Sequence, residues 1–392
     1  MVLEHDGSQI LAIGPAMGRF IPQWNDAWPL VAVDLTDTTV SDNTILLRWE
    51  DLVDAPASLI SPSGAAPVTV ESPLLCRLIH GTAVEDIART QWAGLSAAAL
   101  FLFGRSGDDL ITHALVRLGA QDGLFIRVPQ HHHPTGPADI AELLSAALTA
   151  TNAHREFLNN HQCCLRKFWP DEELEHKITM RGPVDLHTVV AGLRDLVGGP
   201  YLPGTIWEYR DDYQIWDFDN YLYEITDPIE EAGYVSFIPD STGTVIVKRK
   251  WFTHDTPRRR ETRWRGVQIP NNTTSFADYL RSHVHGDARY LGSFRRTRLD
   301  SSCEFTRTGN VYGFMVDWSR PLDRPDSPGL YQVEVEYLHS RTLNDDAADA
   351  VNTELATLSH ATRTYLDGVG IAHQPGESKL TYLRSLTPAP AP

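Results

Sequence analysis

Glu173-Leu174-Glu175-His176-Lys177 places two carboxylates and an ammonium at alternate positions, on one face of a β-strand. A strand in an ordinary sheet buries an apolar face and solvates a polar one, and an isolated pair of acids needs no further account. Here the pattern recurs, and it sorts by sign. Gln332-Val333-Glu334-Val335-Glu336 sets two more carboxylates in register, with Val333, Val335 and Tyr337 opposite. Between them lie basic strands: Lys248-Arg249-Lys250, then Glu261-Thr262-Arg263-Trp264-Arg265 after a tight connection, then Arg296-Thr297-Arg298. An otherwise apolar strand, Tyr312 to Asp317, ends on a carboxylate.

Like charges at i and i+2 repel unless a counter-ion sits between them. Paired carboxylates suit a divalent cation with oxygen ligands. Paired Arg and Lys suit a polyanion such as phosphate. Closing these strands into one sheet brings both signs into one interior, where a metal–phosphate ligand neutralises them. The region from about Glu173 to about Tyr337 therefore reads as an antiparallel barrel of about eight strands, wide enough for side chains and one small ligand. Either Lys248 and Lys250 or Arg249 faces inward, depending on register.

This order of residues resembles the CYTH, or triphosphate tunnel metalloenzyme, superfamily, whose first strand carries an ExExK signature. The resemblance spans about residues 165–385, roughly half the chain. It implies an eight-stranded tunnel that binds triphosphate compounds with Mg²⁺ or Mn²⁺. Glu173, Glu175, Glu334 and Glu336 look like metal ligands, with Asp317 as a further candidate. Lys177, Lys248, Lys250, Arg263, Arg265, Arg296 and Arg298 would grip phosphate oxygens, and Glu175, Lys177 and Arg298 stand nearest the chemistry. The implied activity is metal-dependent triphosphate hydrolysis, on a nucleoside triphosphate, thiamine triphosphate or tripolyphosphate. Family members include thiamine-triphosphatases, inorganic triphosphatases, RNA triphosphatases and class IV adenylyl cyclases. A cyclase, a non-catalytic nucleotide or polyphosphate sensor, and a synthetic enzyme activating an organic diphosphate remain open on the same residues. The chain departs from the family in carrying Lys-Arg-Lys at 248–250 where Arg-x-Arg is common. Its 200–244 segment, with Trp207, Trp216, Tyr221 and Tyr223, is long and aromatic; it suits core and edge positions, or an apolar pocket beside the tunnel.

The expected class is α+β: a tunnel domain over 171–385 with flanking helices, a connector over 151–170, and an α/β domain over 1–150. Helices are expected at Asp185 to Val197, with Asp185 as N-cap, and at about Asp345 to Leu366. In the first half, Ile10 to Ile13, Leu30 to Asp34, Thr44 to Leu47, Ala98 to Phe103 and Gly123 to Val128 read as strands. A helix from about Asp108 to Leu118 would make a strand–helix–strand unit, and Ala138 to Ala150 has helical composition. The Pro/Ala tail over 386–392 has nothing to bury.

At 392 residues, two domains is the natural expectation. The formal charge of −17 argues against broad binding to nucleic acid or anionic lipid. No stretch approaches the roughly 20 apolar residues that span a bilayer. With no basic leader at the N-terminus, a cytoplasmic protein is the default, and a homodimer is compatible with the sequence. Cys76, Cys163, Cys164 and Cys303 form no CxxC pair and read as reduced structural thiols. His131-His132-His133 precedes Pro134 and reads as a loop, since consecutive side chains cannot all face one ion from a strand. Gly14 to Gly18 lacks the rest of a phosphate-loop motif and reads as a turn. Gly104 to Gly107 reads as a turn into the following helix, and Ser106 has no identifiable His–Asp partners.

Overall fold

The computed structural model describes residues 2–3, 9–15, 30–35, 41–60, 67–70, 97–106, 109–129, 138–158, 165–211 and 213–386. The strand pairings followed outward from Glu173 lead back to Glu173. Eight strands take part: β1 (Glu172–Met180), β2 (Gln214–Ile225), β3 (Gly233–Pro239), β4 (Val245–Trp251), β5 (Arg258–Val267), β6 (Ala288–Phe305), β7 (Asn310–Pro321) and β8 (Leu330–Ser340). They close in the order β6-β2-β3-β4-β5-β1-β8-β7, and β7 pairs back onto β6. The strand Thr205–Asp211 adds to β6 at one side, and His373–Pro375 pairs with β1. The protein is thus α+β, with a closed antiparallel barrel in its C-terminal half.

The recurrence of charge on one face of these strands is explained by what covers the outside. Helix α2 (Thr273–His283) packs Phe276 and Leu280 against Tyr223, Val235, Phe237, Val245 and Val247, the outward positions of β2 to β4. Helix α3 (Ala347–Gly368) meets outward residues of β1 and β7: His176 Nδ1 lies 2.8 Å from Ser359 Oγ, and the Tyr312 hydroxyl donates to the Val351 carbonyl oxygen. Helix α1 (Leu186–Arg194) starts at Asp185, whose carboxylate accepts from the His187 N–H, as its cap position requires. With the apolar faces buried outward under helices, the other face of each strand is left to line the interior, and the charges sit there.

The N-terminal half holds an eight-stranded antiparallel sheet in the order 44–48, 122–128, 109–118, 97–106, 9–15, 30–35, 57–60, 68–69. The expected strands are present, and the helical composition after Ala138 forms the helix Ile140–Ala153, followed by Arg155–Leu158. The expected helix over 108–118 is instead the strand Asp109–Leu118, so the strand–helix–strand unit is corrected to two hairpins. The cause is burial on both faces of the sheet. Leu110, Ile111, Thr112, His113 and Ala114 are buried in succession, so no period of two survives, and Leu110, Ile111, Ala114, Leu115 and Leu118 fall at helical spacing. One core cluster, with Phe125 and Trp49, lies among these strands; a second, with Phe101 and Phe103, receives Leu143, Leu144 and Ala147 of the helix. Gly104 to Ser106 belong to the strand Ala97–Ser106, with Ser106 paired to Asp109, so no turn into a helix is formed there.

By compactness the chain divides into two units. One is 1–166 with 305–309 and 340–347; the other is 167–304, 310–339 and 348–392. Gly107, Gly18, His131 to His133, Cys76, Cys163, Cys164 and the 387–392 tail lie outside the described residues. Cys303 is a buried thiol. Among the described residues, no helix is long and apolar enough to cross a membrane.

Candidate functional site: the charged barrel interior

The barrel encloses a cavity of about 600 Å³. Glu173, Lys177, Lys248, Lys250, Arg263, Arg265, Arg296, Arg298, Glu334 and Glu336 all line it. The register at β4 is resolved in favour of the lysines. Lys248 and Lys250 face inward, toward Glu173 and Glu261. Arg249 points away, buried against Trp251 and donating to the Tyr234 and Lys250 carbonyl oxygens. Gly233 makes this approach of β3 to β4 possible: at φ +140° a Cβ would lie 2.1 Å from the Lys250 carbonyl oxygen.

Two groupings divide the acids. Glu173, Glu175 and Glu336 bring carboxylate oxygens within 4.8 Å of one another. Glu175 and Glu336 are directly opposite across β1 and β8, and Glu173 is two residues up the same face. Their partners are cations. Lys250 bonds Glu173, Lys177 bonds Glu175, and Arg259 donates to Glu175 at 2.7 Å. Asp317 and Glu334 form the second grouping, inside a basic shell. Arg296 Nε and Arg298 Nε reach Asp317 at 2.9 and 2.7 Å, Arg296 Nη2 reaches Glu334 at 2.6 Å, and Lys379 bonds both carboxylates. So three of the five expected metal ligands stand together, and the other two stand among arginines.

Burial and charge set the ionisation of these groups. Burial opposes the charge on Glu173, but Lys250 and Lys248 outweigh it and hold the carboxyl well below its usual range. Glu334 is likewise held low against burial by Arg296 and Lys379, and Asp317 by Arg296 and Arg298. Glu336 goes the other way: burial and the nearby Glu173 raise it, as expected for an acid crowded by another. Burial pushes Lys177 well below the usual lysine range and Lys248 down to about 8. Lys250 is raised, because Glu173 more than offsets its burial.

Three site residues escaped the sequence reading. Arg259 precedes Glu261 by two positions and shares its inward face, so strict alternation through Arg258-Arg259-Arg260-Glu261 would have found it. Glu261 itself stood in the quoted strand without a role, and it bonds Lys248 at 3.0 Å. Lys379 had no signal, because it arrives from helix α4 (Lys379–Leu386), outside every strand. Of the aromatic 200–244 segment, Tyr223 is core, whereas Trp216 and Phe218 line the cavity.

No family model and no curated protein matches the chain. Among solved structures it is similar to S. pombe Pct1 RNA triphosphatase, with 13% identity and a TM-score of 0.26, covering 56% of this chain and 91% of that chain. A structure of S. pombe Pct1 RNA triphosphatase in complex with the Spt5 CTD is similar at 12% identity and a TM-score of 0.24, with the same coverage. At these scores the likeness carries no weight, and the fold rests on the strand pairings above.

Proposed function

We propose that the barrel is a divalent-metal-dependent triphosphatase, with its activity in residues 171–385. The observation that carries this reading is the trio Glu173, Glu175 and Glu336, held against Lys250, Lys177 and Arg259 beside the cavity that Glu173 and Glu336 line. The trio fits Mg²⁺ or Mn²⁺, because all three groups offer hard carboxylate oxygens from rigid strands. When bound there, the ion supplies charge neutralisation to phosphate oxygens.

The chain's own residues do the rest. Lys248, Lys250, Arg263 and Arg265 bind the anionic chain along β4 and β5. Arg296 and Arg298 meet its terminal phosphoryl group, with their guanidiniums held in one orientation by Asp317 and Glu334. Lys177, on the strand between the two groupings, lies within reach of Glu175 and Glu334 and adds positive charge to the same phosphoryl group. A closed barrel keeps these groups pre-set, and Arg296, Arg298 and Lys177 are largely buried, so their effect on a developing charge is large.

The test is phosphate release by the full chain from ATP, thiamine triphosphate and tripolyphosphate, with Mg²⁺ or Mn²⁺ and with chelator. Release should need metal and should be lost in Glu175→Ala and Glu336→Ala. Full activity in either variant sinks the reading. Cyclic nucleotide with pyrophosphate would establish the cyclase, and tight binding without turnover the sensor.

A further inference from the structure

The two ends of the barrel differ in chemistry. At one end the chain crosses close to β1, where a Cβ on Gly376 would lie 2.3 Å from Lys177 Cβ. It then enters α4, whose Leu380 and Leu383 pack onto Leu222, Tyr234 and Phe294. Those three residues also line the cavity, as does Lys379 at the start of the helix. The helix is anchored: Asp255 accepts from the Ser378 N–H at 3.0 Å and the Thr381 hydroxyl at 2.8 Å, and Arg384 donates to Glu224 at 2.5 Å. That end is stopped.

At the other end the lining changes. Trp216 sits six residues from Leu222 on the same face of β2, roughly 20 Å along the strand. Around it the cavity is lined by Ile238, Ile246, Met315 and Leu338 together with Asp240 and Asp300, with Arg263 and Arg265 exposed at the rim. Trp216 is 48% exposed, and its Nε1–H donates to Asp300 Oδ1 at 2.9 Å, which tethers the edge of the indole to β6. A half-exposed tryptophan tethered by its N–H on the wall of a charged cavity is a stacking surface.

From these features, and resting on the triphosphatase reading above, we propose that the substrate is an organic triphosphate bearing a planar heteroaromatic group. It enters terminal phosphate first, and that group stays at the mouth, stacked on Trp216. A blind tunnel allows one orientation. The phosphates occupy the charged waist, and whatever they are attached to must remain beside Trp216, Ile238 and Leu338. Bare tripolyphosphate would leave Trp216 and these apolar side chains without a partner.

The experiment uses the full chain and three probes: ATP, methyl triphosphate and tripolyphosphate. For each, kcat/KM and equilibrium affinity by competition are measured in wild type, Trp216→Ala and Trp216→Phe. Wild type should prefer ATP over both other probes. Stacking of a base on an aromatic side chain is large enough that Trp216→Ala should cut the ATP-to-tripolyphosphate ratio about tenfold. Trp216→Phe, which keeps a ring and loses the Asp300 bond, should retain most of the preference. A wild type that favours tripolyphosphate overturns the inference, as does an unchanged ratio in Trp216→Ala or an equal loss in both variants. If no probe is hydrolysed, the triphosphatase reading fails, and the affinity ratios still decide the role of Trp216.

Discussion

Removing the Glu334 charge should unfold the barrel unit at a much lower temperature, and adding a polyanion should restore it. Glu334 has a side chain only 6% exposed, and it answers to four cations: Arg296 at 2.6 Å, Lys177 at 3.7 Å, and Arg298 and Lys379 in closer contact. In Glu334→Gln the shape is kept and the negative charge is lost, leaving Arg296, Arg298 and Lys379 to share Asp317. Breaking a buried ion pair by removing one partner costs about 3–5 kcal/mol, because the remaining charge stays desolvated and unpaired. For a unit of this size that corresponds to a fall in Tm of about 10 °C, within roughly 6–20 °C. The assay is scanning calorimetry of the full chain with chelator present. Asp278→Asn serves as control: it removes one charge from an exposed pair with Arg281 and should shift Tm by less than about 2 °C. Saturating tripolyphosphate should then raise the Tm of Glu334→Gln by more than that of wild type, since it supplies the missing negative charge. A variant melting within about 2 °C of wild type would refute the claim that Glu334 holds the basic wall together.

Two titrations give further predictions. Lys248, held down to about 8 by burial, loses its charge as pH rises through that value. Affinity for tripolyphosphate, measured by calorimetry from pH 7 to 9, should therefore decline around pH 8 relative to Lys248→Arg, which stays charged; parallel profiles would count against a phosphate role. In the N-terminal unit, His113 is buried with Nε2 2.8 Å from the Asp42 carbonyl oxygen, and burial pushes it down to about 4. The unfolded chain, titrating near 6.5, takes up this proton first, so the associated stability is complete above about pH 6.5 and lost as pH falls toward 4. The loss is up to about 3 kcal/mol. Hydrogen exchange of the 98–103 amides should accelerate over that window in wild type and not in His113→Leu; equal acceleration in both would reject the assignment.

The sequence made the barrel legible because its interior is charged. The central inward positions of β1, β4, β5, β6 and β8 carry charged residues that could not sit buried without partners, so the period of two stood out against Val, Ile and Tyr on the other face. The same logic failed where both faces are apolar. Asp109–Leu118 buries Leu110 to Ala114 in succession, so no period of two survives and its apolar residues fall at helical spacing instead. Strands β2 and β3 were hard to place for a related reason: their inward residues, Phe218, Asn220, Leu222, Ser236 and Ile238, are mostly uncharged and differ little from a core face. Lys379 was out of reach altogether. Its role comes from a helix packed on Leu222 and Phe294, and no local spacing encodes a contact of that kind.

The interior supplies its own counter-ions, and this couples the two expected ligands. Lys250 holds Glu173, while Lys177 and Arg259 hold Glu175. A divalent ion on Glu173, Glu175 and Glu336 would release those three cations from their carboxylates, and a polyanion would take them up. The converse also holds: a polyanion drawing Lys250, Lys177 and Arg259 away leaves the trio short of positive charge, which favours the metal. Each ligand therefore tightens the other by the same factor, as linkage requires. Glu173→Gln separates the two halves of the exchange. It removes a metal ligand, so Mn²⁺ binding read by electron paramagnetic resonance should be lost. It also removes the group competing for Lys250, so metal-free tripolyphosphate should bind more tightly, by about 5- to 150-fold on the scale of ordinary couplings between sites. If the metal-free affinity falls instead, Glu173 supports the phosphate site rather than competing with it, and the exchange of partners is not how this barrel balances its charge.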